Sequence, residues 1–111
     1  MRCLVTGGCG FIGSHLVHQL VELGHHVVVL DNLGRGRREN LDGISESGNL
    51  RIAVCDITEP RGLREHFRNA DWVFHPAGLA DIVPSVELPK PYYDCNVTGT
   101  LNVLEAAREA G

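Results

Sequence analysis

Apolar positions along the 111-residue chain fall into short unbroken runs, separated by longer segments in which they recur every three or four residues. Runs of the first kind suit the strands of a parallel sheet buried on both faces, and segments of the second kind suit helices that cover it. Cys3-Leu4-Val5 marks a first strand within residues 1–6. Residues 11–23 predict the first helix, with Leu16, Val17, Leu20, Val21 and Leu23 as its apolar stripe and Gly24 as its stop. His26-Val27-Val28-Val29-Leu30 is the second strand, closed by Asp31. Residues 50–57 alternate and predict a third strand ending in Asp56. Thr58-Glu59-Pro60 is a start signal, and Leu63 and Phe67 at helical spacing predict a short second helix over 58–69. Residues 70–75 predict the fourth strand. A connector over 79–91, interrupted by Pro84, Pro89 and Pro91, leads to a long helix over 92–110, with Val97, Leu101, Val103 and Leu104 expected to face inward. The stretch 41–49 carries too little pattern to assign.

The junction of first strand and first helix is rich in glycine: Thr6-Gly7-Gly8-Cys9-Gly10-Phe11-Ile12-Gly13. Glycines there permit a turn with φ > 0, a close approach of the backbone to an anion, and tight packing of helix on strand. The helix that starts at the turn offers unpaired N–H groups and the positive end of its dipole. Gly8, Gly10 and Gly13 satisfy one form of the phosphate-binding spacing, and Gly7, Gly10 and Gly13 satisfy the other, so the register stays open. Asp31 ends the next strand, about 20 residues on, as the dinucleotide-binding pattern requires. A carboxylate there accepts from an adenosine ribose and repels a 2′-phosphate, which favours NAD over NADP.

The expected architecture is therefore α/β: a Rossmann-type parallel sheet in the order 3-2-1-4, flanked by helices, in one domain over residues 1–111. The polar loop 32–40 falls over the adenosine half of a dinucleotide, with Asn32 as a second ribose or adenine contact. Asp56 and Ile57 would border the adenine ring, and capping of the following helix is the other role open to Asp56. Pro76-Ala77-Gly78, small residues at the end of the fourth strand, leave room for pyrophosphate and ribose.

Net charge narrows the partners. A formal charge of −4 implies no basic surface for nucleic acid. Arg35, Arg37 and Arg38 are the one dense positive group, in a glycine-rich loop whose functional use would be contact with phosphates. No apolar run reaches the roughly 18 residues of a membrane span, and the amino terminus reads as a strand, so a cytosolic protein without a membrane segment is expected. Cys3, Cys9, Cys55 and Cys95 are widely spaced, which predicts reduced thiols. His15 and His18 have no further ligand pair at metal-site spacing, so no metal site is expected.

In this order and spacing the residues resemble the extended short-chain dehydrogenase/reductase family, and within it the nucleotide-sugar epimerases and dehydratases of the UDP-glucose 4-epimerase type. The likeness rests on 6–13, Asp31-Asn32-Leu33, Asp56-Ile57, His75-Pro76-Ala77-Gly78-Leu79, Pro91-Tyr92-Tyr93-Asp94 and Asn96-Val97-Thr98-Gly99-Thr100. It implies that Gly7, Gly10, Phe11, Ile12 and Gly13 hold the pyrophosphate of NAD. Asp31 and Asn32 would hold the ribose, Asp56 and Ile57 the adenine, and Pro76, Ala77 and Gly78 the middle of the cofactor. Asn96 is similar to the helix asparagine that orders the family's active site beneath the nicotinamide.

The chain departs from the pattern twice. UDP-galactose-type relatives tend to carry a lysine where this chain has Ala80. Family catalysis uses a Tyr-x-x-x-Lys pair, in which lysine lowers the tyrosine pKa. The only lysine here is Lys90, with Val86 at the tyrosine position, and Tyr92 and Tyr93 meet Asn96 and Val97. No catalytic residue is thus assigned. The resemblance implies the amino-terminal NAD-binding part of an enzyme whose chain continues beyond Gly111, acts on a nucleotide sugar and forms a homo-oligomer, a dimer; alone, this part is expected to be inactive. A non-catalytic NAD-sensing module and another reductase of the superfamily are the alternatives, the latter opposed by Asp31.

Overall fold

In the computed structural model, which describes residues 1–44, 48–80 and 82–111, four parallel strands lie in the order β3-β2-β1-β4. They are β1 (Arg2–Thr6), β2 (His26–Asp31), β3 (Leu50–Val54) and β4 (Trp72–Phe74). Ser45, Glu46 and Ser47 of the unassigned stretch, and Asp81 of the connector, lie outside the described residues. β1 is central: Leu4 is in register with Val28 on one side and with Val73 on the other. The chain moves outward from β1 to β3 and then returns to the opposite side of β1 for β4. Such a reversal opens a crevice at the carboxyl ends of the strands.

Strand side chains alternate faces, and both faces are covered. Cys3, Val5, Val27 and Val29 pack with Cys9, Leu41 and helix α1 (Phe11–Glu22), through Val17 and Leu20. Leu4, Val28 and Leu30 on the other face pack with Ile57, Leu63, Phe67, Val103 and Ala106. Phe67 comes from the short helix α2 (Arg64–Phe67), and Val103 and Ala106 come from α5 (Gly99–Ala110). At roughly 25 cal/mol per Å² of apolar area removed from water, these two layers are the main stabilising term.

Several expectations need correction. The third strand stops at Val54, before Asp56, because the Asp56 carboxylate folds the chain into a turn with Thr58. The helix expected over 58–69 is only a 3-10 turn, Pro60–Gly62, followed by α2, with Asn69 at φ 62. Leu63 and Phe67 are nonetheless buried, so the apolar spacing served packing rather than helix length. The fourth strand is shorter than predicted. In α1, Leu23 is the helix's last cap and is 73% exposed instead of joining the stripe.

The connector is helical. α3 (Ile82–Glu87) and α4 (Pro89–Tyr93) carry Pro84, Pro89 and Pro91 in their first turns, where a missing N–H costs no intrahelical bond. α4 then runs through a π-helical segment (Asp94–Thr98) directly into α5. The face prediction for this helix also fails. Val103 is 3% exposed, but Val97, Leu101 and Leu104 are 51%, 57% and 62% exposed. The sheet-facing side is built instead from Gly99, Val103 and Ala106, small enough for the helix to sit close; a Cβ on Gly99 would lie 2.6 Å from Ile57 Cδ1.

Candidate dinucleotide site

A cleft of about 390 Å³ opens at the carboxyl ends of the strands. Every predicted site residue except Asn96 lines it: Gly7, Gly10, Phe11, Ile12 and Gly13 from the glycine turn, Asp31 and Asn32 after β2, Asp56 and Ile57 after β3, and Pro76, Ala77 and Gly78 after β4. Leu30, Arg35, Gly36, Cys55, Leu79, Ala80 and Cys95 complete the lining.

The glycine turn is tight enough to exclude side chains. Gly7 has φ 67, and a Cβ there would lie 2.8 Å from Ala77 Cα, so the turn rests directly on the backbone after β4. A Cβ on Gly13 would lie 2.1 Å from the Gly7 carbonyl oxygen. The turn is closed by Gly10 N–H donating to Gly7 O (3.1 Å) and joined to β2 by Gly7 N–H donating to Leu30 O (2.7 Å). Gly7, Gly10 and Gly13 line the cleft, whereas Gly8 packs toward the core, where a Cβ would lie 2.7 Å from Val29 Cγ1.

The first backbone donor of α1 to find its carbonyl is Ser14 N–H, bonded to Gly10 O at 2.8 Å. The N–H groups of Phe11, Ile12 and Gly13 precede it, and Gly10, the N-cap, brings no side chain to satisfy them. Three donors at the positive end of a helix are therefore left without an intrahelical carbonyl, on residues that line the cleft, and such a donor set suits a pyrophosphate.

Asp31 is 8% exposed and already engaged. Its Oδ2 accepts from Cys9 N–H (3.0 Å) and its Oδ1 from Leu33 N–H (2.7 Å). A carboxylate offers about four acceptor positions, so two remain for a ribose diol. Asn32 Oδ1 accepts from Gly34 N–H (2.9 Å), shaping the loop. Asp56 lines the cleft but does not cap the helix that follows: the N-cap of the 3-10 turn is Glu59, without a side-chain bond, and Asp56 Oδ1 instead closes a local turn, accepting from both N–H (2.9 Å) and Oγ1–H (2.7 Å) of Thr58. The residues present thus fit a dinucleotide on their own geometry.

Asn96 works from outside the lining. Its Oδ1 accepts from Leu79 N–H and its Nδ2 donates to Leu79 O, each at 2.8 Å, so the amide pairs with the Leu79 backbone like a neighbouring strand. It also packs behind Gly78, whose added Cβ would lie 3.0 Å from Asn96 Oδ1. The π segment presents this side chain, and Thr100 Oγ1 donates to the Asn96 carbonyl (2.6 Å).

His75 was not among the predicted site residues, yet it joins three elements under the cleft. Thr100 gives its only hydroxyl proton to Asn96 O, so it must accept from His75 Nε2–H at 2.9 Å. His75 Nδ1 is then an acceptor and takes the Thr6 hydroxyl proton at 2.6 Å, while Thr6 Oγ1 accepts from Ala77 N–H at 3.4 Å. This arrangement needs the neutral ring, and burial lowers the His75 pKa below 6.5 in agreement. In the sequence His75 stood at a strand end, in one of the segments that carry the family likeness, with no role assigned to it. Its partners Thr6 and Thr100 lie far off in the chain.

All four cysteines are free thiols. Burial and, second, the Asp31 carboxylate push the Cys9 thiol up to about 11. Burial likewise raises Cys55 and Cys95, so the thiols in the cleft are weak nucleophiles. No helix among the described residues is long and apolar enough to cross a membrane.

Known proteins share this arrangement. A UDP-glucose 4-epimerase of Klebsiella pneumoniae is 44% identical over 115 residues, spanning 100% of this chain and 83% of the relative. One from Mycolicibacterium smegmatis is 42% identical, and this chain spans 36% of its length. Among solved structures, a dTDP-glucose 4,6-dehydratase from Streptomyces venezuelae with NAD bound superposes with a TM-score of 0.94 at 36% identity, over 100% of this chain and 37% of that one. The UDP-glucose 4-epimerase of Thermus thermophilus, in complex with NAD, gives a TM-score of 0.89 at 42% identity, over 100% and 35%. The family model described as the NAD dependent epimerase/dehydratase family matches residues 3–111. Because that model spans all but the first two residues, the chain belongs to the NAD dependent epimerase/dehydratase family.

Proposed function

We propose that this chain binds NAD in the cleft and serves as the dinucleotide-binding part of a nucleotide-sugar epimerase of the UDP-glucose 4-epimerase type. The observation that carries the reading is the bond from Cys9 N–H to Asp31 Oδ2. It joins the pyrophosphate donors and the ribose acceptor into one rigid piece, so both ends of the adenosine diphosphate half are recognised at a fixed separation. Phe11, Ile12 and Gly13 donate to the pyrophosphate, Asp31 and Asn32 receive the ribose, and Asp56 and Ile57 flank the adenine. Ala77 and Gly78, held by Thr6 and Asn96, form the floor beneath the remainder.

NAD, when bound, supplies an acceptor that takes hydride from a sugar carbon and returns it. This chain positions that acceptor; it carries no Tyr-x-x-x-Lys pair to move the sugar hydroxyl proton. Chemistry on a UDP-sugar therefore belongs to an enzyme that also contains the family's tyrosine and lysine. The same reading assigns the cytosol, where unpaired thiols stay reduced, and a homodimer. A dehydratase is the second reading, supported by the superposition on the dTDP-glucose 4,6-dehydratase, while Ala80, where UDP-galactose-type relatives carry lysine, leaves the sugar open.

Calorimetric titration of the 111-residue chain with NAD and with NADP tests the binding reading. Saturable binding of NAD, at least about tenfold tighter than NADP, is expected from the Asp31 carboxylate. Equal affinity, or none, would overturn it. Turnover of UDP-glucose by this chain alone would overturn its assignment as a binding part only.

A further inference from the structure

The glycine turn is held from behind by a residue outside the cleft lining. Cys9, in the middle of the turn, is wholly buried and both its backbone groups are engaged. Its N–H goes to Asp31, and its carbonyl accepts twice: from Arg37 N–H at 3.0 Å and from Asn40 Nδ2 at 2.8 Å. Asn40 is itself fixed on three sides. Its N–H donates to Arg37 O (3.0 Å), its carbonyl accepts from His18 Nε2 of α1 (3.0 Å), and the next residue, Leu41, is fully buried in the α1-side core. The loop can reach Cys9 because residue 36 is glycine; a Cβ there would lie 2.8 Å from both Asp31 Oδ2 and the Cys9 carbonyl carbon.

The Cys9 carbonyl shares one rigid peptide plane with Gly10 N–H. Holding that carbonyl therefore orients the Gly10 N–H that closes the turn on Gly7, and Gly10 is also the N-cap of α1. We propose that Asn40 is a positioning residue for anion binding: its side-chain amide sets the 9–10 peptide plane and thereby aims the Phe11, Ile12 and Gly13 donors at the pyrophosphate of a dinucleotide. Asn40 touches no ligand in this arrangement and acts through Cys9. Its ligand rests on the NAD reading above; the mechanical link does not. Asn40 is exposed overall, so replacing it leaves the two core layers intact.

The test compares the wild-type chain with Asn40→Ala and Asn40→Asp, measuring NAD affinity by calorimetry and, without ligand, amide hydrogen exchange at Gly10 and Ser14. Asn40→Ala should weaken NAD binding about five- to tenfold, the scale of one hydrogen bond, and speed exchange at both amides while the unfolding midpoint stays near wild type. Asn40→Asp should weaken it at least as much when ionised, because a carboxylate then faces the Cys9 carbonyl. Its affinity should recover as acidification protonates the carboxyl and restores a donor, a recovery that Asn40→Ala cannot show. Wild-type affinity in both variants would overturn the proposal. If the wild-type chain does not bind NAD, the dinucleotide reading fails and exchange decides the link: unchanged rates at Gly10 and Ser14 in Asn40→Ala overturn it.

Discussion

The Thr6 hydroxyl at the end of β1 lies 2.6 Å from Nδ1 of His75 at the end of β4 and gives its proton to the neutral ring. Two adjacent strands are thereby tied by side chains just where their backbone pairing ends, at Val5 and Phe74. The bond also fixes the start of the Pro76-Ala77-Gly78 floor.

This tie makes stability depend on pH. Burial lowers the His75 pKa in the folded chain below its ordinary 6.5, so the unfolded chain binds the proton more readily. The contribution is complete above about pH 6.5 and declines as pH falls from there toward the lowered folded value. Urea unfolding across that range should show this loss in the wild type and a smaller one in His75→Gln. Identical pH profiles would refute the assignment.

Asp31 should matter even without cofactor. Asp31→Ala leaves the N–H groups of Cys9 and Leu33 without their acceptor, at a cost of about 1–3 kcal/mol. Chemical denaturation in the absence of NAD measures it. An unchanged midpoint would mean that the carboxylate serves the ribose alone.

Among the glycines, position 13 should be the least tolerant. The Cβ of Gly13→Ala would lie 2.1 Å from Gly7 O, so the turn must open, and NAD binding should be lost with a stability decrease of roughly 1–3 kcal/mol. Gly48→Ala, where no described residue lies within 4 Å of the added carbon, is the control and should behave as wild type. Thermal melts and NAD titration of the pair decide it.

The exposed stripe of Val97, Leu101 and Leu104 should make the isolated chain self-associate through a second copy. β4, at the sheet edge, adds an unpaired strand to the same risk. Sedimentation velocity should find dimers or larger species at micromolar concentration and a shift to monomer for Leu101→Glu. A monomeric wild type would contradict the expectation.

Much of this was legible in the chain because local rules govern it. Apolar runs marked the first two strands and alternation the third, and the glycine spacing with a carboxylate after the second strand marked the turn and pointed to the Rossmann-type strand order. Gly7, Gly13 and Asp31 are marked by short-range spacing, although in the fold Asp31 reaches Cys9 and Gly7 rests on Ala77. The prolines of 79–91 were misread as interruptions because their effect depends on where a helix begins, and that start was decided by packing. The inward face of the last helix was misassigned for a similar reason. Hydrophobicity ranked Leu101 and Leu104 above Gly99 and Ala106, but close approach to Ile57 favours small residues.

By itself, then, the sequence determined the alternation of elements, the glycine turn and the carboxylate that closes the second strand, since each follows from residue type and short-range spacing. Only the tertiary structure decided which glycines line the cleft, that Asn96 grips Leu79 from behind it, and that His75 and Asn40 brace the turn and the strand ends. Those three polar side chains reach partners up to 69 positions away in the chain, as Thr6 and His75 show, and no local pattern encodes such a distance. Their partners are chosen by which strand ends and loops the folded sheet brings within hydrogen-bonding reach.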